Sequence, residues 1–481
     1  MRHSDGRPRL GRVSRPRTKL VCTIGPASIE RVDELVAAGM DVARVNFSHG
    51  TPERHALAVR RVGEAAASAG RTVAVMADLS GPKIRLGDLV DDVRLEPGAP
   101  FVLRAAEGEG DAQGAHVSQP RLAADLQAGD RVLLADGAAE LRVVDADGDD
   151  VRTEVVRGGL IRSRAGVSVP SERLSSPSLT DKDRSDAPRA IELGVDYVAQ
   201  SFVRRGEDIG ELRAILGSDG PPIVAKIETR PAIDDFDAIC DAADAVMIAR
   251  GDLGVELPYE RVPILQKQLV RRALDHGVPT IVATQMLESM IGSPRPTRAE
   301  ASDVANAIFD GADAIMLSGE TAIGEHPVLA AEAAARIALL CEQEGREHLA
   351  SGAPPRADTD AGALAYAAAA LTGTEHDVAA IACYTRTGRT ARILAALRPR
   401  VPIHAFSPDP GVVARLALVH GVQPRGCVPP SDQAGRLGLM AWLVAENTGL
   451  EPGAAVVLVA STATPGSGPN LLELHRIPAG D

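Results

Sequence analysis

The sequence predicts an α/β protein: a (β/α)8 TIM barrel with an inserted small β-barrel lid domain and a C-terminal α/β domain. Three observations carry that expectation. Short apolar, β-branched runs alternate with helix-length amphipathic stretches, eight such units in all, as in a closed parallel barrel. After the third unit an acid-rich, turn-rich stretch interrupts the alternation. Past residue 350 a Pro-Pro linker, Ser351-Gly-Ala-Pro-Pro-Arg356, leads to a fresh strand and helix alternation.

Taken in order, residues 20–24, 42–47 and 72–77 read as strands, and 28–38 and 52–69 as helices, with Pro26 and Gly39 as punctuation. The interruption spans about 87–169. Turn pairs such as Asp136-Gly137 and Asp147-Gly148 separate short runs there, and an insertion after a barrel strand emerges on the catalytic face, well placed to act as a lid. Five more strands are centred near Tyr197, Val224, Val246, Ile281 and Ile315. Helices at 361–371 and 389–397 and strands at 378–383, 402–406 and 454–460 complete the chain. The expected division is a disordered basic tail at 1–17, barrel segments at 18–86 and 170–345 flanking the lid at 87–169, and a C-terminal domain at 356–481.

Composition narrows the function. At 481 residues the chain holds several cores, and its formal charge of −13 argues against nucleic acid as a partner. No apolar run of about 18 residues exists to span a membrane. The first 17 residues carry six arginines but no apolar segment, so they read as a tail rather than a secretory signal. The five cysteines are scattered without a CxxC pair and read as reduced core residues of a cytoplasmic protein. Of 52 basic residues only Lys19, Lys83, Lys182, Lys226 and Lys267 are lysine. In an arginine-biased chain, a surviving lysine marks a position where a compact ammonium is wanted and a planar guanidinium will not serve.

The chemistry gathers at strand ends. Lys226 and Glu228 are two residues apart in Lys226-Ile-Glu228, and Asp252 ends the next run. Two carboxylates from consecutive strands make the sparse site that Mg2+ accepts, since it keeps several waters and takes further oxygens from substrate. Arg44 offers a guanidinium fork to phosphate. Asn46, Ser48 and Asp78 add oxygens of the kind a monovalent cation prefers, and Arg85 closes the set. A metal, a lysine, arginines and no obvious base or nucleophile fit phosphoryl transfer, where positioning and charge stabilisation dominate.

The segments Arg44-Val-Asn-Phe-Ser-His-Gly50, Gly81-Pro-Lys-Ile-Arg85, Ala225-Lys-Ile-Glu228, Ala249-Arg-Gly-Asp-Leu-Gly254, Ala283-Thr-Gln-Met-Leu-Glu-Ser-Met290, Pro294-Arg-Pro-Thr-Arg-Ala-Glu300 and Met316-Leu-Ser-Gly-Glu-Thr321 closely resemble the pyruvate kinase family, in family order and spacing. The resemblance implies transfer of phosphoryl from phosphoenolpyruvate to ADP, giving ATP and pyruvate, by a homotetramer with a regulatory C-terminal domain. It implies that Lys226 stabilises the phosphoryl group in flight and that Glu228 and Asp252 hold Mg2+ (or Mn2+). Arg44 would bind phosphate, and the Gly251 and Asp252 amides the substrate carboxylate. Thr284 would mark where enolpyruvate is protonated, with Ser318 and Glu320 supporting the proton relay. Asn46, Phe47, Ser48, His49 and Arg85 would face the nucleotide.

The chain also departs from the family. Lys83 stands where potassium-dependent members carry an acid, and Leu79 where they carry a threonine. The expectation is that a fixed ammonium replaces K+, leaving Asn46, Ser48, Asp78 and the Leu79 carbonyl as a vestigial pocket. In the lid, Ala165 replaces a lysine that contacts nucleotide, with Arg164 as the substitute, and Ser168-Val-Pro-Ser171 differs from the usual Asn-Leu-Pro-Gly. The segment Thr385-Arg386-Thr387-Gly388-Arg389-Thr390 is an anion cradle between strand and helix. It resembles the family's effector loop for a sugar phosphate or nucleotide, with 461–468 as an opposite wall. Two other readings stay open from sequence: a pyruvate or phosphoenolpyruvate lyase using Lys226 as a Schiff-base amine, and a non-catalytic phosphometabolite sensor.

Overall fold

The computed structural model describes residues 15–105, 108–135, 137–349, 359–373, 377–428, 433–448, 450–460 and 470–477. Most of the expected tail and the 461–468 loop lie outside the described residues. Three strands open the chain, β1 (Lys19–Thr23), β2 (Val42–Asn46) and β3 (Ala74–Asp78). The insertion follows as β4 (Val93–Leu95), β5 (Pro100–Arg104), β6 (Gly114–His116), β7 (Arg131–Leu134), β8 (Ala139–Asp147), β9 (Asp150–Arg157), β10 (Gly159–Ile161) and β11 (Val167–Ser168). The chain then re-enters through β12 (Tyr197–Gln200), β13 (Ile223–Ile227), β14 (Ala245–Ala249), β15 (Thr280–Ala283) and β16 (Ala314–Leu317). The three early and five late strands close into one barrel in the order β1-β16-β15-β14-β13-β12-β3-β2. Burial on both faces explains why β14 reads as an unbroken apolar run, and why β1 and β3 carry polar residues only at their ends rather than alternating.

The first helix starts at Val32, four residues later than the periodicity suggests. Ser28 and Arg31 instead form turns onto Gly25 and Ser28, and a side chain at Gly25 would collide with the Ala322 carbonyl at 2.4 Å.

Within the insertion, six strands form one sheet ordered β11-β7-β8-β9-β5-β6, and β10 pairs with β4. Phe101, Leu103, Leu134 and Leu141 fill its core. The β8–β9 hairpin turns on Gly148, whose φ of 61° suits glycine. The two segments that join the insertion to the barrel bond each other: Val167 N donates to Ile84 O, and Leu86 N to Ala165 O, both at 2.9 Å.

The C-terminal part adds β17 (Val378–Tyr384), β18 (Ile403–Ser407), β19 (Val422–Gly426), β20 (Ala455–Ala460) and β21 (Leu471–Arg476), ordered β19-β18-β17-β20-β21. The edge strands β19 and β21 escaped the sequence reading. Pro424 and Gly426 mask the first, which as an edge tolerates them, and the second is half exposed and mixes leucines with Glu473, His475 and Arg476.

The C-terminal part meets the barrel at its amino end. Ala417 and Leu418 join the interior cluster of Val21, Met76, Val224 and Met247, so a short turn of the C-terminal part plugs the barrel floor. Fully burying a side chain the size of Leu418 is worth about 2 kcal/mol. Around this plug buried charges are held by backbone. Glu342 accepts the amides of Arg17 and Thr18, each at 2.7 Å, and Lys19 donates to Val422 O at 2.6 Å. Asp313 accepts from Thr280 N at 3.0 Å, His420 N at 3.2 Å and Arg398 Nη2 at 3.1 Å.

Asp313 is one of four aspartates that immediately precede a barrel strand and bond the neighbouring strand's amide. Asp41 takes Leu20 N at 3.1 Å, Asp196 takes Val75 N at 2.8 Å, and Asp244 takes Ile223 N at 2.9 Å. Together they staple β1 to β2, β3 to β12, β13 to β14 and β15 to β16, so each strand is tied once.

Candidate active site

At the opposite, carboxyl end, Lys226 leaves β13 with its side chain 11% exposed and its ammonium among three acceptors: Ser201 Oγ at 2.7 Å, Glu228 Oε1 at 2.8 Å and Asp78 Oδ1 at 3.3 Å. Burial works against the charge, but the carboxylates of Asp78 and Glu228 outweigh it and push the Lys226 pKa up. An ammonium so held stays charged at any working pH. Asp78, 1% exposed, also pairs with Arg44 Nε at 2.7 Å. Burial opposes its ionisation too, yet Lys226 and Arg44 hold its carboxyl below the usual range.

Glu228 lies one residue past β13, 2% exposed. Its Oε2 accepts the Phe202 amide at 2.8 Å. Burial first, and then the nearby charge of Asp252 against the attraction of Lys226, raises its pKa. Asp252 sits in the first turn of the helix Arg250–Glu256, half-buried, and its carboxylate has no hydrogen-bond or ion-pair partner among the described residues. Two repelling carboxylates, one of them unpartnered, suit a dication, which relieves both the repulsion and the raised pKa. Among the described residues no group of three or more potential His, Cys, Asp or Glu ligands comes together; the candidate site is the pair Glu228 and Asp252, whose charges act on each other.

Arg44 is more committed than a free fork. Nε serves Asp78 and Nη1 serves Thr23 Oγ1 at 3.0 Å, which leaves Nη2 for an anion. Asp78 likewise spends both oxygens on cations, so the expected monovalent pocket already contains two fixed positive charges. The Leu79 carbonyl there accepts from Ser201 Oγ at 2.7 Å, and Asn46 Oδ1 accepts from Ser48 N at 3.0 Å. The exposed Lys83 forms no salt bridge among the described residues. Its charge is nevertheless felt: partial burial and then Arg85, Arg44 and Lys83 lower the His49 pKa. A cationic rim therefore lines the mouth of a chain whose net charge is −13.

Backbone strain collects here. Phe202, Thr284 and Gln285 adopt φ of 54°, 67° and 55°, where residues other than glycine are costly. Arg250, 7% exposed, braces two of them, donating from Nη2 to Thr284 O at 2.7 Å and Gln285 O at 3.1 Å while Nη1 pairs with Asp303 at 2.7 Å. Thr284 Oγ1 donates to Ala283 O at 2.6 Å and accepts the Gly251 amide at 2.8 Å, so that amide is engaged in this state rather than open. Behind it, buried Glu320 accepts from Leu287 N at 3.0 Å and Ser318 N at 2.7 Å, and Ser318 Oγ is buried without a partner.

Arg164, with φ of 64°, grips Asp88 through Nε at 3.0 Å and Nη2 at 3.2 Å, while Arg85 Nη1 donates to the Arg164 carbonyl at 3.3 Å. The two arginines thus lie together where the insertion joins the barrel. The loop 385–390 is remote, with Thr385 buried, Gly388 at φ 81°, and Arg386, Thr387 and Arg389 exposed. Sequence reasoning missed Ser201, Phe202 and the bracing role of Arg250. The first two directly follow β12, a strand-end position where the barrel rule already looks for function.

Family models describe two matches. "Pyruvate kinase, barrel domain" spans residues 15–331, and "Pyruvate kinase, alpha/beta domain" spans 363–475. A pyruvate kinase of Mycobacterium tuberculosis is 43% identical over 480 residues, covering 96% of this chain and 98% of the relative. One from Geobacillus stearothermophilus is 42% identical over 473 residues, covering 96% of this chain and 80% of the relative. The crystal structure of a pyruvate kinase from Cryptosporidium parvum superposes with a TM-score of 0.88 at 32% identity, covering 96% of each chain.

Proposed function

This chain belongs to the pyruvate kinase family, phosphotransferases that pass the phosphoryl group of phosphoenolpyruvate to ADP, and we propose that Lys226 is the charge accompanying that group in transit. The lyase and sensor readings give way to that membership. The observation that carries the proposal is the anchored ammonium: three acceptors fix it at the barrel mouth, so its field costs no reorganisation during transfer.

Glu228 and Asp252 would hold the divalent ion the family requires. Mg2+ fits best, because it is content with two carboxylates and oxygens from water and substrate. When bound, that ion supplies positive charge to the phosphate and carboxylate oxygens. Arg44 Nη2 and Lys226 grip the phosphate. The Gly251 and Asp252 amides receive the substrate carboxylate once Thr284 Oγ1 releases the first of them. As the bond from phosphorus to the enol oxygen breaks, a β-phosphate oxygen of ADP bonds to phosphorus, and the enolate keeps the electron pair. A water held by Thr284 then delivers the proton that makes pyruvate, with Ser318 and Glu320 bracing that wall.

Asn46, Ser48, His49 and Arg85 face the nucleotide, whereas the expected Phe47 does not, its ring being buried against His55 as the anchor of the loop; Arg164 joins them if the insertion closes and frees it from Asp88. Lys83 supplies the charge that K+ supplies elsewhere, so K+ is not required. The loop 385–390 takes a phosphorylated sugar or nucleotide effector. Exposed Tyr259, Ile264 and Trp442 are apolar surface suited to a homotetramer, and the enzyme works in the cytoplasm. Phosphoenolpyruvate-dependent ATP formation tests the core of this. The wild type is active, and Lys226→Met loses about a thousandfold in kcat. A Lys226→Met enzyme within tenfold of the wild type contradicts it.

A further inference from the structure

Of the five lysines in this arginine-biased chain, Lys182 takes no part in the chemistry above. It stands in the first turn of the helix Asp181–Glu192, where the chain re-enters the barrel after the lid. Its ammonium donates to the Phe47 carbonyl at 2.7 Å and pairs with Asp186 one turn along. The neighbouring Asp183 is fully buried. It caps its own helix by accepting from Thr180 N at 2.9 Å and Oγ1 at 2.6 Å, and it also accepts the Gly81 amide at 3.2 Å.

One helical turn therefore holds both loops on the cationic side of the mouth. The loop after β2 is fixed at several points. The Phe47 ring is buried and stacked on His55 at 4.3 Å, His55 Nε2 bonds the His49 carbonyl at 2.7 Å, and Lys182 takes the Phe47 carbonyl. The loop after β3 is fixed at Gly81, where φ is +65° and an added Cβ would lie 2.8 Å from Ser201 and Phe202. His49 rides on the first loop, Lys83 and Arg85 on the second. A compact ammonium shared between a carbonyl and a carboxylate four residues on is a task for lysine, not for a planar guanidinium.

We propose that Lys182 is a positioning residue for nucleotide binding: with Asp183 it sets the spacing of the β2 and β3 loops that ADP spans. The inference rests on the reading that Asn46, Ser48, His49 and Arg85 face the nucleotide. Replacing Lys182 with Met leaves Asp186 paired with Arg189, and Lys182 is itself half exposed, so the fold is expected to survive, which thermal unfolding checks. Steady-state kinetics of the full-length enzyme should then show KM for ADP raised about five- to tenfold, with KM for phosphoenolpyruvate and kcat within about twofold. His49→Ala run in parallel reports on the loop reading itself. An unchanged KM for ADP in Lys182→Met beside a raised one in His49→Ala overturns the inference and spares that reading. No change in either variant overturns both. Equal rises in KM for both substrates overturn it by marking a general structural role. If the Met variant does not fold, Lys182→Gln enters the same comparison.

Discussion

The two ends of the barrel bury charge in opposite ways. At the amino end, the carboxylates of Asp41, Asp196, Asp244, Asp313 and Glu342 all accept backbone amides, and the cations beside them meet carbonyls or those same acids. At the carboxyl end, Asp78 and Glu228 face Lys226 and Arg44 through side chains, with Glu228 also taking the Phe202 amide, Asp252 has no hydrogen-bond or ion-pair partner among the described residues, and three non-glycine residues hold positive φ. A carboxylate closed off by backbone amides is committed to the fold. One left facing other charges is poised for a ligand, and the strain around it is maintained by Arg250.

Breaking either end should expose this division. The largest effect is expected for Asp252→Asn, which removes the unpartnered carboxylate. The Mg2+ concentration for half-maximal activity should rise about tenfold or more while the unfolding temperature stays level. Asp313→Ala should do the reverse, stranding the buried Arg398 guanidinium and costing about 3 kcal/mol in denaturant unfolding, with both KM values unchanged.

Glu256 tests the junction of insertion and barrel, where it accepts from Ser171 Oγ at 2.8 Å. Burial raises its pKa to about 7, against 4.5 for the free group. The folded form thus binds the proton more tightly, so stability from this site is full below about pH 4.5 and falls as pH rises to 7. Glu256→Gln should flatten that fall, roughly 2–3 kcal/mol across the window, in stability measured against pH. The smallest effect is expected for K+ itself. Replacing K+ with tetramethylammonium should change the rate less than about twofold, since Lys83 and the Arg44 and Lys226 pairs of Asp78 already supply charge; loss of most activity would falsify that role for Lys83.

Much of the mouth was legible from sequence because its residues end apolar runs, and the barrel converts strand ends into one surface. Lys226, Glu228 and Asp252 came out that way. Ser201 and Phe202 did not, because a serine and a phenylalanine after a strand carry no chemical signature, and the Phe202 amide meets Glu228 only once β12 and β13 are neighbours. The amino-end staples were in plain view as Gly39-Met-Asp41, Gly194-Val-Asp196 and Gly311-Ala-Asp313. Their meaning depends on which strands become neighbours, and spacing along the chain does not say so. Arg44 illustrates the opposite error. Its strand-end position suggested a free fork, but the pairing of β2 with β3 brings Asp78 beside it and occupies one prong.

The most direct test of the electrostatic account is a crystal structure of the enzyme soaked with Mn2+ and oxalate, with anomalous scattering used to place the metal. The expected result is one Mn2+ bound by the carboxylates of both Glu228 and Asp252, with oxalate completing its shell beside Lys226. Manganese bound elsewhere, with both carboxylates empty, would contradict the account.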